Sequence, residues 1–396
     1  MSFSKEKVVM TAGVRTCLRS SWAVFCFAAI FLIVSLPAAG RSQSFTTIDG
    51  TIGPGALYQI AMPTGPWNGE LAVYVHGMVP PTNPVRLPVL GSLRDTLTSQ
   101  GFALIYSSFS VNGYAAMKDG AQRTHQLRGI FTSRVGRPTR VYLVGGSLGG
   151  LIAVMLAERF PDQYDGVLSL AGLLGGGAAE LRYVSDAKVL FDYFFPGVLP
   201  AGNYMPPGID FNPGGPTYTA VFNALTQGLL PPSPTLQFAS TAKLPGNGVV
   251  EIIKAGMTVA GFIVTYTNDT TDLTNGHIAY DNTETTYSGS LNDDALNAGV
   301  ARYASDPSAV NYFEHYYTPT GELHIPVISL HTMRDPLVPV FHETMYAKAV
   351  DDAGASQYLL QRTFDVFGHL NLQDADVAAA FFALVDWVHT GIKPAS

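Results

Sequence analysis

Cysteine is almost absent from this chain, which has two in 396 residues. Both of them, Cys17 and Cys26, lie in the first 40 residues, so the remainder offers no disulfide, no thiolate metal ligand and no cysteine nucleophile. Charged residues are also scarce, at 13% of the sequence, and the formal net charge is −7. Because no basic cluster follows the first 40 residues, we expect no nucleic-acid partner. The composition is not typical of collagen, a coiled coil or a disordered chain.

An uncharged apolar run occurs near the N-terminus, at 22–36. Four basic residues precede this run, and the small residues 37–40 follow it, an order that is typical of a signal peptide. Fifteen apolar residues are short for a bilayer span, although a retained anchor is the alternative. We therefore predict that residues 1–40 are a signal peptide cleaved after Gly40. The mature protein would be secreted or periplasmic, with no stable membrane insertion after cleavage.

Two parts of the chain alternate between strand-like and helix-like segments. In the first part, short apolar runs predict strands at 45–48, 56–62, 71–75, 102–106, 140–144 and 166–170, with helices near 89–100, 119–134 and 151–160. The second part predicts strands at 326–330 and 358–363, with helices near 342–353 and 373–389. This alternation is typical of an α/β fold with a doubly wound, mostly parallel sheet and helices on both faces.

The alternation stops between the two parts. Residues from about 173 to 323 are rich in glycine, proline, threonine, asparagine and aromatic residues and contain few strand-like runs. We predict a core formed by 41–175 and 320–396, with 176–319 inserted as a cap over the carboxyl end of the sheet. So long a stretch inside a compact domain should contain helices of its own.

The segment Gly145-Gly146-Ser147-Leu148-Gly149 joins a predicted strand to a predicted helix. Gly-x-Ser-x-Gly in this context predicts a sharp turn that exposes the serine hydroxyl at the end of the strand. The N-terminus of the following helix favours the negative charge that develops there. We predict that Ser147 is a nucleophile.

Acyl transfer by a serine needs a base and a partner for that base. Asp335 directly follows the predicted strand at 326–330, and His369 lies in the loop after the last predicted strand. Both positions are at the sheet edge that carries Ser147, where catalytic groups of open α/β sheets collect. We predict that His369 transfers the serine proton and that Asp335 orients the imidazole.

Competing residues exist for both roles. Asp365 is the chief rival acid, and His331 and His342 are second choices for the base. The other histidines outside the predicted oxyanion loop match no predicted strand end and are assigned no function: His125, His277, His315, His324 and His389.

Two backbone donors must stabilise the tetrahedral intermediate. One is predicted to be the N–H of Leu148, directly after the nucleophile, and the other the N–H of Met78, in the loop after the strand at 71–75. In that loop, Gly77 permits a sharp turn. We predict that Gly77 and His76 contact the substrate.

Taken together, these motifs resemble the α/β-hydrolase superfamily over about 45–175 and 320–393. The resemblance lies in His76-Gly77, the Gly-x-Ser-x-Gly segment, Asp335 with Val338-Pro339, Gly368-His369, and the order Ser, Asp, His. It implies an α/β-hydrolase fold and hydrolysis through an acyl-enzyme, with no metal and no organic cofactor. The family's His-Gly-Gly-Gly oxyanion loop is absent, which argues against the hormone-sensitive-lipase type.

The sequence therefore favours an exported serine esterase or lipase-like enzyme that acts on a small-molecule or polymeric carboxylic ester. A serine peptidase of prolyl type would use the same triad, and a binding protein could retain a hydrolase scaffold without catalysis. Two aromatic clusters in the predicted cap either contact the substrate or form the cap's own core. They are Phe191, Tyr193, Phe194 and Phe195, and Tyr303, Tyr312, Phe313, Tyr316 and Tyr317.

Overall fold

The structure is a computed structural model that describes residues 45–395 apart from 115, 204 and 207. Only the backbone is described at 267, 268, 271 and 272. The predicted signal peptide lies outside the described residues.

An eight-stranded sheet forms the centre of the molecule. Its strands are β1 (Phe45–Ile52), β2 (Ala56–Pro63), β3 (Glu70–Val75), β4 (Ala103–Ser107), β5 (Arg140–Gly146), β6 (Gly166–Leu170), β7 (Val327–Arg334) and β8 (Leu359–Phe367). Their order is β1-β2-β4-β3-β5-β6-β7-β8. The hairpin β1–β2 is antiparallel and β2 pairs with β4 antiparallel, whereas every other pair is parallel. The predicted mostly parallel sheet is confirmed.

The central strands are buried on both faces, as in parallel sheets covered by helices. Every residue of β4 and β6 is buried, and apolar side chains fill both strands apart from a serine in each. The two last strands are longer than their apolar runs suggested, because β7 continues through polar residues to Arg334 and β8 continues to Phe367. His331 pairs with Thr363 there, and a register shift between Thr332 and Arg334 accompanies the end of the ladder.

Helices cover both faces of the sheet. One face packs against α1 (Ser92–Ser99) and α11 (Asp374–Thr390), whose buried residues include Leu97, Phe381 and Leu384. The other face packs against α2 (Ala116–Arg134), α3 (Leu148–Arg159) and α10 (Phe341–Asp352). A short 3₁₀ turn at Ser356–Tyr358 leads into β8. The two apolar layers bury both sides of the central strands, which holds their carboxyl ends in a fixed row.

The chain between β6 and β7 is helical. Its described residues form α4 (Gly177–Phe194), α5 (Pro216–Gln227), α6 (Pro234–Thr241), α7 (Val249–Leu273), α8 (Asp293–Gly299) and α9 (Pro307–Tyr317). We call this helical region the cap. By length and composition the window Val249–Tyr266 of α7 could span a membrane, but 56% of the window is buried inside the protein.

Aromatic side chains form much of the interior of the cap. Phe191 and Phe195 pack on each other and on Phe238 of α6, with ring centroids 4.9 to 6.0 Å apart. Phe313 and Tyr317 of α9 are fully buried. These rings join the same hydrophobic cluster as the core residues under α3, so the cap and the sheet share one interior. The first aromatic cluster is therefore largely cap core.

Candidate active site

Ser147 occupies the turn between β5 and α3 in a strained backbone conformation, with φ 57° and ψ −126°. Positive φ is rare for residues other than glycine and is retained where the surrounding structure enforces it. Here the Ser147 N–H donates to the Leu170 carbonyl oxygen at 2.8 Å, and the Gly150 N–H donates to the Ser147 carbonyl oxygen at 2.9 Å. Since α3 begins at Leu148, its first N–H groups lie directly beside the serine.

The glycines around Ser147 are required by close backbone contacts. A side chain at Gly145 would overlap the backbone of Gly149, and one at Gly149 would overlap the carbonyl oxygen of Val75. The turn therefore brings α3 against the end of β3 more closely than any other residue type would permit. This packing explains why Gly-x-Ser-x-Gly folds into the predicted sharp turn.

Asp335 and His369 are in contact. The Nδ1 of His369 lies 2.7 Å from Oδ2 of Asp335, which is fully buried. The other carboxylate oxygen, Oδ1, accepts the N–H groups of Leu337 at 2.9 Å and Val338 at 3.0 Å. Since the carboxylate accepts a hydrogen bond from the Nδ1–H group, the Nε2 of His369 is left as the basic nitrogen. The cap supports this turn, because the Tyr183 hydroxyl of α4 donates to the Pro336 carbonyl oxygen at 2.9 Å.

The His369 loop also reaches the serine turn. The side chain of Leu370 lies 3.5 Å from the position that a Cβ on Gly146 would occupy. Leu370 follows His369 in the chain and Gly146 precedes Ser147, so this contact joins the two loops. The Nε2 of His369 is buried and has no hydrogen-bond partner among the described residues. The structure therefore brings the three predicted triad residues to one edge of the sheet, with the basic nitrogen unoccupied.

The loop after β3 covers the serine. A Cβ on Gly77 would lie 3.0 Å from the Cβ and 3.6 Å from the Oγ of Ser147, which places the Gly77–Met78 backbone beside the hydroxyl. His76 stacks on Phe109 with ring centroids 3.7 Å apart, and its Nδ1 donates to the Gly77 carbonyl oxygen at 2.7 Å. Burial lowers the pKa of His76, which keeps this imidazole neutral. Through these two contacts His76 stabilises the loop. The donor roles of Met78 and Leu148 stay predictions.

The rival residues have other partners. Asp365 is exposed and forms an ion pair with Arg334. His331 is buried against Glu343 at 2.9 Å. His342 is buried between Glu180, whose Oε2 lies 2.9 Å from Nε2, and the Gly175 N–H, which donates to Nδ1 at 3.0 Å. Among these, His331 alone lies close to the predicted acid, with 3.7 Å between its Nε2 and Asp335 Oδ2.

Three of the unassigned histidines also have structural partners. His125 contacts the Tyr164 hydroxyl at 3.0 Å, His277 pairs with Asp306 at 3.0 Å, and His389 pairs with Glu70 at 2.6 Å. The sequence did not identify Glu343 and Glu180, the buried carboxylates that hydrogen-bond to His331 and His342, respectively. They lie on helices with no recognisable motif, so only the fold identifies them.

The cap helix α7 is held to the core at both ends. Near its start, Glu251 accepts from Nε of Arg334 at 3.1 Å, beside the end of β7. Near its other end, Asp269 accepts the N–H of Tyr114, in the loop after β4. These two contacts are made beside β4 and β7, which flank β3, β5 and β6 in the sheet. That the cap region lies over the candidate site stays a prediction.

Two buried groups beside the site have perturbed acidity. Burial, assisted by the nearby charge of Asp335, raises the pKa of Glu180 well above its usual range. Burial lowers the pKa of His342 to about 3, so this imidazole is neutral.

In the described part of the chain, no group of three or more histidine, aspartate or glutamate side chains has a metal-binding arrangement. No described residue is therefore assigned to a metal.

Comparisons with known proteins agree with this architecture. No family model matches the chain. The chain is 30% identical over 204 residues to an uncharacterized esterase of Agrobacterium fabrum, a match that covers 39% of this chain and 36% of the relative. It is 34% identical over 106 residues to a protein of Nocardia uniformis subsp. tsuyamanensis that is provisionally named an esterase, covering 27% of each. The matches thus span about a third or less of these relatives.

A solved structure shows the fold. An esterase from Aspergillus oryzae superposes with a TM-score of 0.51 at 13% identity, covering 88% of this chain and 80% of that one. This likeness shows the fold alone, and it is the α/β-hydrolase fold that the motifs predicted. By sequence it resembles proteins named as esterases over part of its length.

Proposed function

We propose that this protein hydrolyses carboxylic esters through an acyl-enzyme on Ser147. The observation that carries the proposal is the His369–Asp335 contact of 2.7 Å beside the strained serine turn. A hydrogen-bonded carboxylate and a basic nitrogen without a partner among the described residues, beside the half-buried hydroxyl of Ser147, form the arrangement that acyl transfer requires. The partial similarity to esterase-named relatives supports ester over other acyl substrates.

The proposed reaction has two halves. In the first, Nε2 of His369 takes the Ser147 proton while Oγ attacks the ester carbonyl carbon, and the same proton passes to the departing alcohol. In the second, His369 takes a proton from water, the hydroxide attacks the acyl carbon, and Oγ regains the proton as the acid leaves. Asp335 orients the imidazole and stabilises its positive charge in both halves.

The oxyanion of each tetrahedral intermediate needs fixed donors. We propose the N–H groups of Leu148 and Met78, because α3 begins at the first and the second follows the glycine that lies against Ser147. The helix dipole of α3 adds to the stabilisation of negative charge. Removing one such donor typically costs roughly 10²- to 10³-fold in kcat.

We further propose that the substrate carries an apolar group and that the protein is exported. We place α7 above the site because its two ends contact the chain beside β4 and β7, and this helix is predominantly apolar, so it would favour an apolar acyl or alcohol group. Export rests on the predicted signal peptide at 1–40. Mass spectrometry of the protein from the producing cells tests it, because export predicts a mature N-terminus after Gly40 and retention predicts an intact first segment.

Hydrolysis of 4-nitrophenyl esters of increasing chain length tests the activity. Purified protein expressed from the full-length sequence should release 4-nitrophenol, and Ser147→Ala, which removes only the attacking oxygen, should release none above background. A panel of blocked and free aminoacyl anilides runs in parallel. Anilide turnover without ester turnover would replace the proposal with a peptidase, and the absence of any turnover in a folded protein would leave a binding function.

A further inference from the structure

A second buried histidine lies directly behind the predicted acid. His331 is fully buried in β7, and its Nε2 lies 2.8 Å from the Val338 carbonyl oxygen and 3.7 Å from Oδ2 of Asp335. Its Nδ1 lies 2.9 Å from Oε1 of Glu343, on α10. The proposed mechanism uses neither His331 nor Glu343.

The hydrogen-bond partners determine where the protons are. A carbonyl oxygen only accepts, so Nε2 of His331 carries a proton directed at Val338. Glu343 already accepts from the Ser329 hydroxyl at 2.6 Å and from the Gln361 amide at 2.7 Å. Each of its two oxygens thus already accepts a hydrogen bond. The Nδ1 of His331 must therefore donate to it, and the imidazole carries both protons.

The electrostatic surroundings agree with this assignment. Burial opposes charge on His331, but the hydrogen bond and charge of Glu343 and the charge of Asp335 raise its pKa. The titratable groups that face His331 are Glu343 and His342 on α10 and Asp335 after its own strand. His342 is neutral, and the neighbour on β8, Thr363, does not titrate.

Resting on the proposed function, we propose that His331 is a positioning residue, an imidazolium held by Glu343 that fixes the turn of Asp335. It acts in two ways. By bonding Val338, whose N–H donates to Asp335, it fixes the orientation of the carboxylate. By placing a positive charge near the oxygen that His369 contacts, it opposes further positive charge beside that oxygen, so activity should persist to lower pH.

The pH profile of kcat/KM tests the charge. His331→Gln keeps an N–H donor for Val338 but removes the charge, so the acid limb should move to higher pH by about one unit. Glu343→Gln should move the acid limb in the same direction, because His331 loses the carboxylate that holds its second proton. His342→Gln is the matched control, a buried histidine of α10 that also pairs with a buried carboxylate, and its acid limb should stay in place.

A purely structural role for His331 predicts a different result. It would lower kcat/KM equally at every pH and leave the midpoint of the acid limb unmoved, which would overturn the proposal. Should His331→Gln fail to fold, Glu343→Gln carries the same test. In ¹⁵N-histidine NMR of the wild-type protein, one imidazole should keep two protonated nitrogens at a pH where an ordinary histidine has lost one, and should lose its second proton there in Glu343→Gln. Finding no such imidazole would also overturn the proposal.

The test also separates this proposal from the proposed function. The rate at which a fluorophosphonate labels Ser147 depends on the base but needs no ester turnover, so its pH profile is measured for the same variants. Labelling without ester hydrolysis would refute the esterase alone. Ester hydrolysis with an acid limb that neither variant moves would refute the role of His331 alone.

Discussion

Replacement of Asp335 by asparagine gives the sharpest test of the proposed triad. Oδ1 accepts two backbone N–H groups, from Leu337 at 2.9 Å and Val338 at 3.0 Å. In Asp335→Asn these donors fix the amide oxygen at the Oδ1 position, so the amide NH₂ must face Nδ1 of His369. An NH₂ group donates, which forces the proton of His369 onto Nε2, the nitrogen that should accept the Ser147 proton. We expect kcat to fall by roughly 10⁴-fold, since only the tautomer changes.

Steady-state hydrolysis of a 4-nitrophenyl ester measures the loss, and thermal unfolding monitors the fold. The amide keeps both backbone hydrogen bonds and the volume of the carboxylate, so the melting temperature should change by no more than about 4 °C. Asp365→Asn is the matched control, because Asp365 is exposed and pairs with Arg334 rather than with a histidine. It should keep nearly full activity. Near-normal kcat in Asp335→Asn, or a large loss in Asp365→Asn, would refute the assignment.

Three further substitutions extend the account. Gly77→Ala places a methyl group 3.0 Å from the Cβ of Ser147, so kcat should fall by about 10- to 100-fold while the stability to urea changes little. An unchanged kcat would contradict the position of this loop. Gly149→Ala overlaps the carbonyl oxygen of Val75, so the free energy of unfolding should fall by about 3 kcal/mol, and a stable variant would show that β3 and α3 are further apart. The pKa of His342 is about 3 in the folded protein, whereas an unfolded histidine titrates near 6.5. Between these pH values the unfolded state binds more protons than the folded state. The free energy of unfolding therefore decreases as the pH falls below about 6.5. His342→Gln should therefore lose less stability than the wild-type protein between pH 7.5 and pH 5 in urea denaturation, and an equal loss would contradict the neutral assignment.

The sheet was predictable because its central strands are short, apolar and separated by helical periodicity. The apolar run at 326–330 ended β7 too early, since it stops before the polar residue His331, and the predicted strand at 358–363 stopped four residues short of Phe367, where β8 ends. His331 is polar and fully buried in β7, and its burial is possible because Glu343 and the Val338 carbonyl group satisfy both ring nitrogens. Those partners come from a helix and a turn that no local pattern links to the strand.

Only part of the candidate site could likewise be predicted from the sequence. Ser147, Asp335 and His369 could be selected because each follows a strand, and parallel strands end at one edge. The burial of His331 and His342 against carboxylates could not be predicted, since it depends on Glu343 and on Glu180 of the cap. The contacts that join α7 to the core could not be predicted from the sequence either, because they are two single contacts, at Glu251 and Asp269.

Reaction with a fluorophosphonate, followed by mass spectrometry of the digested protein, tests the central claim most directly. The account predicts one adduct, on the peptide that contains Ser147, formed rapidly in the wild-type protein and at least about 10³-fold more slowly in His369→Ala. An adduct on another residue, no adduct in folded protein, or equal labelling of His369→Ala would contradict it.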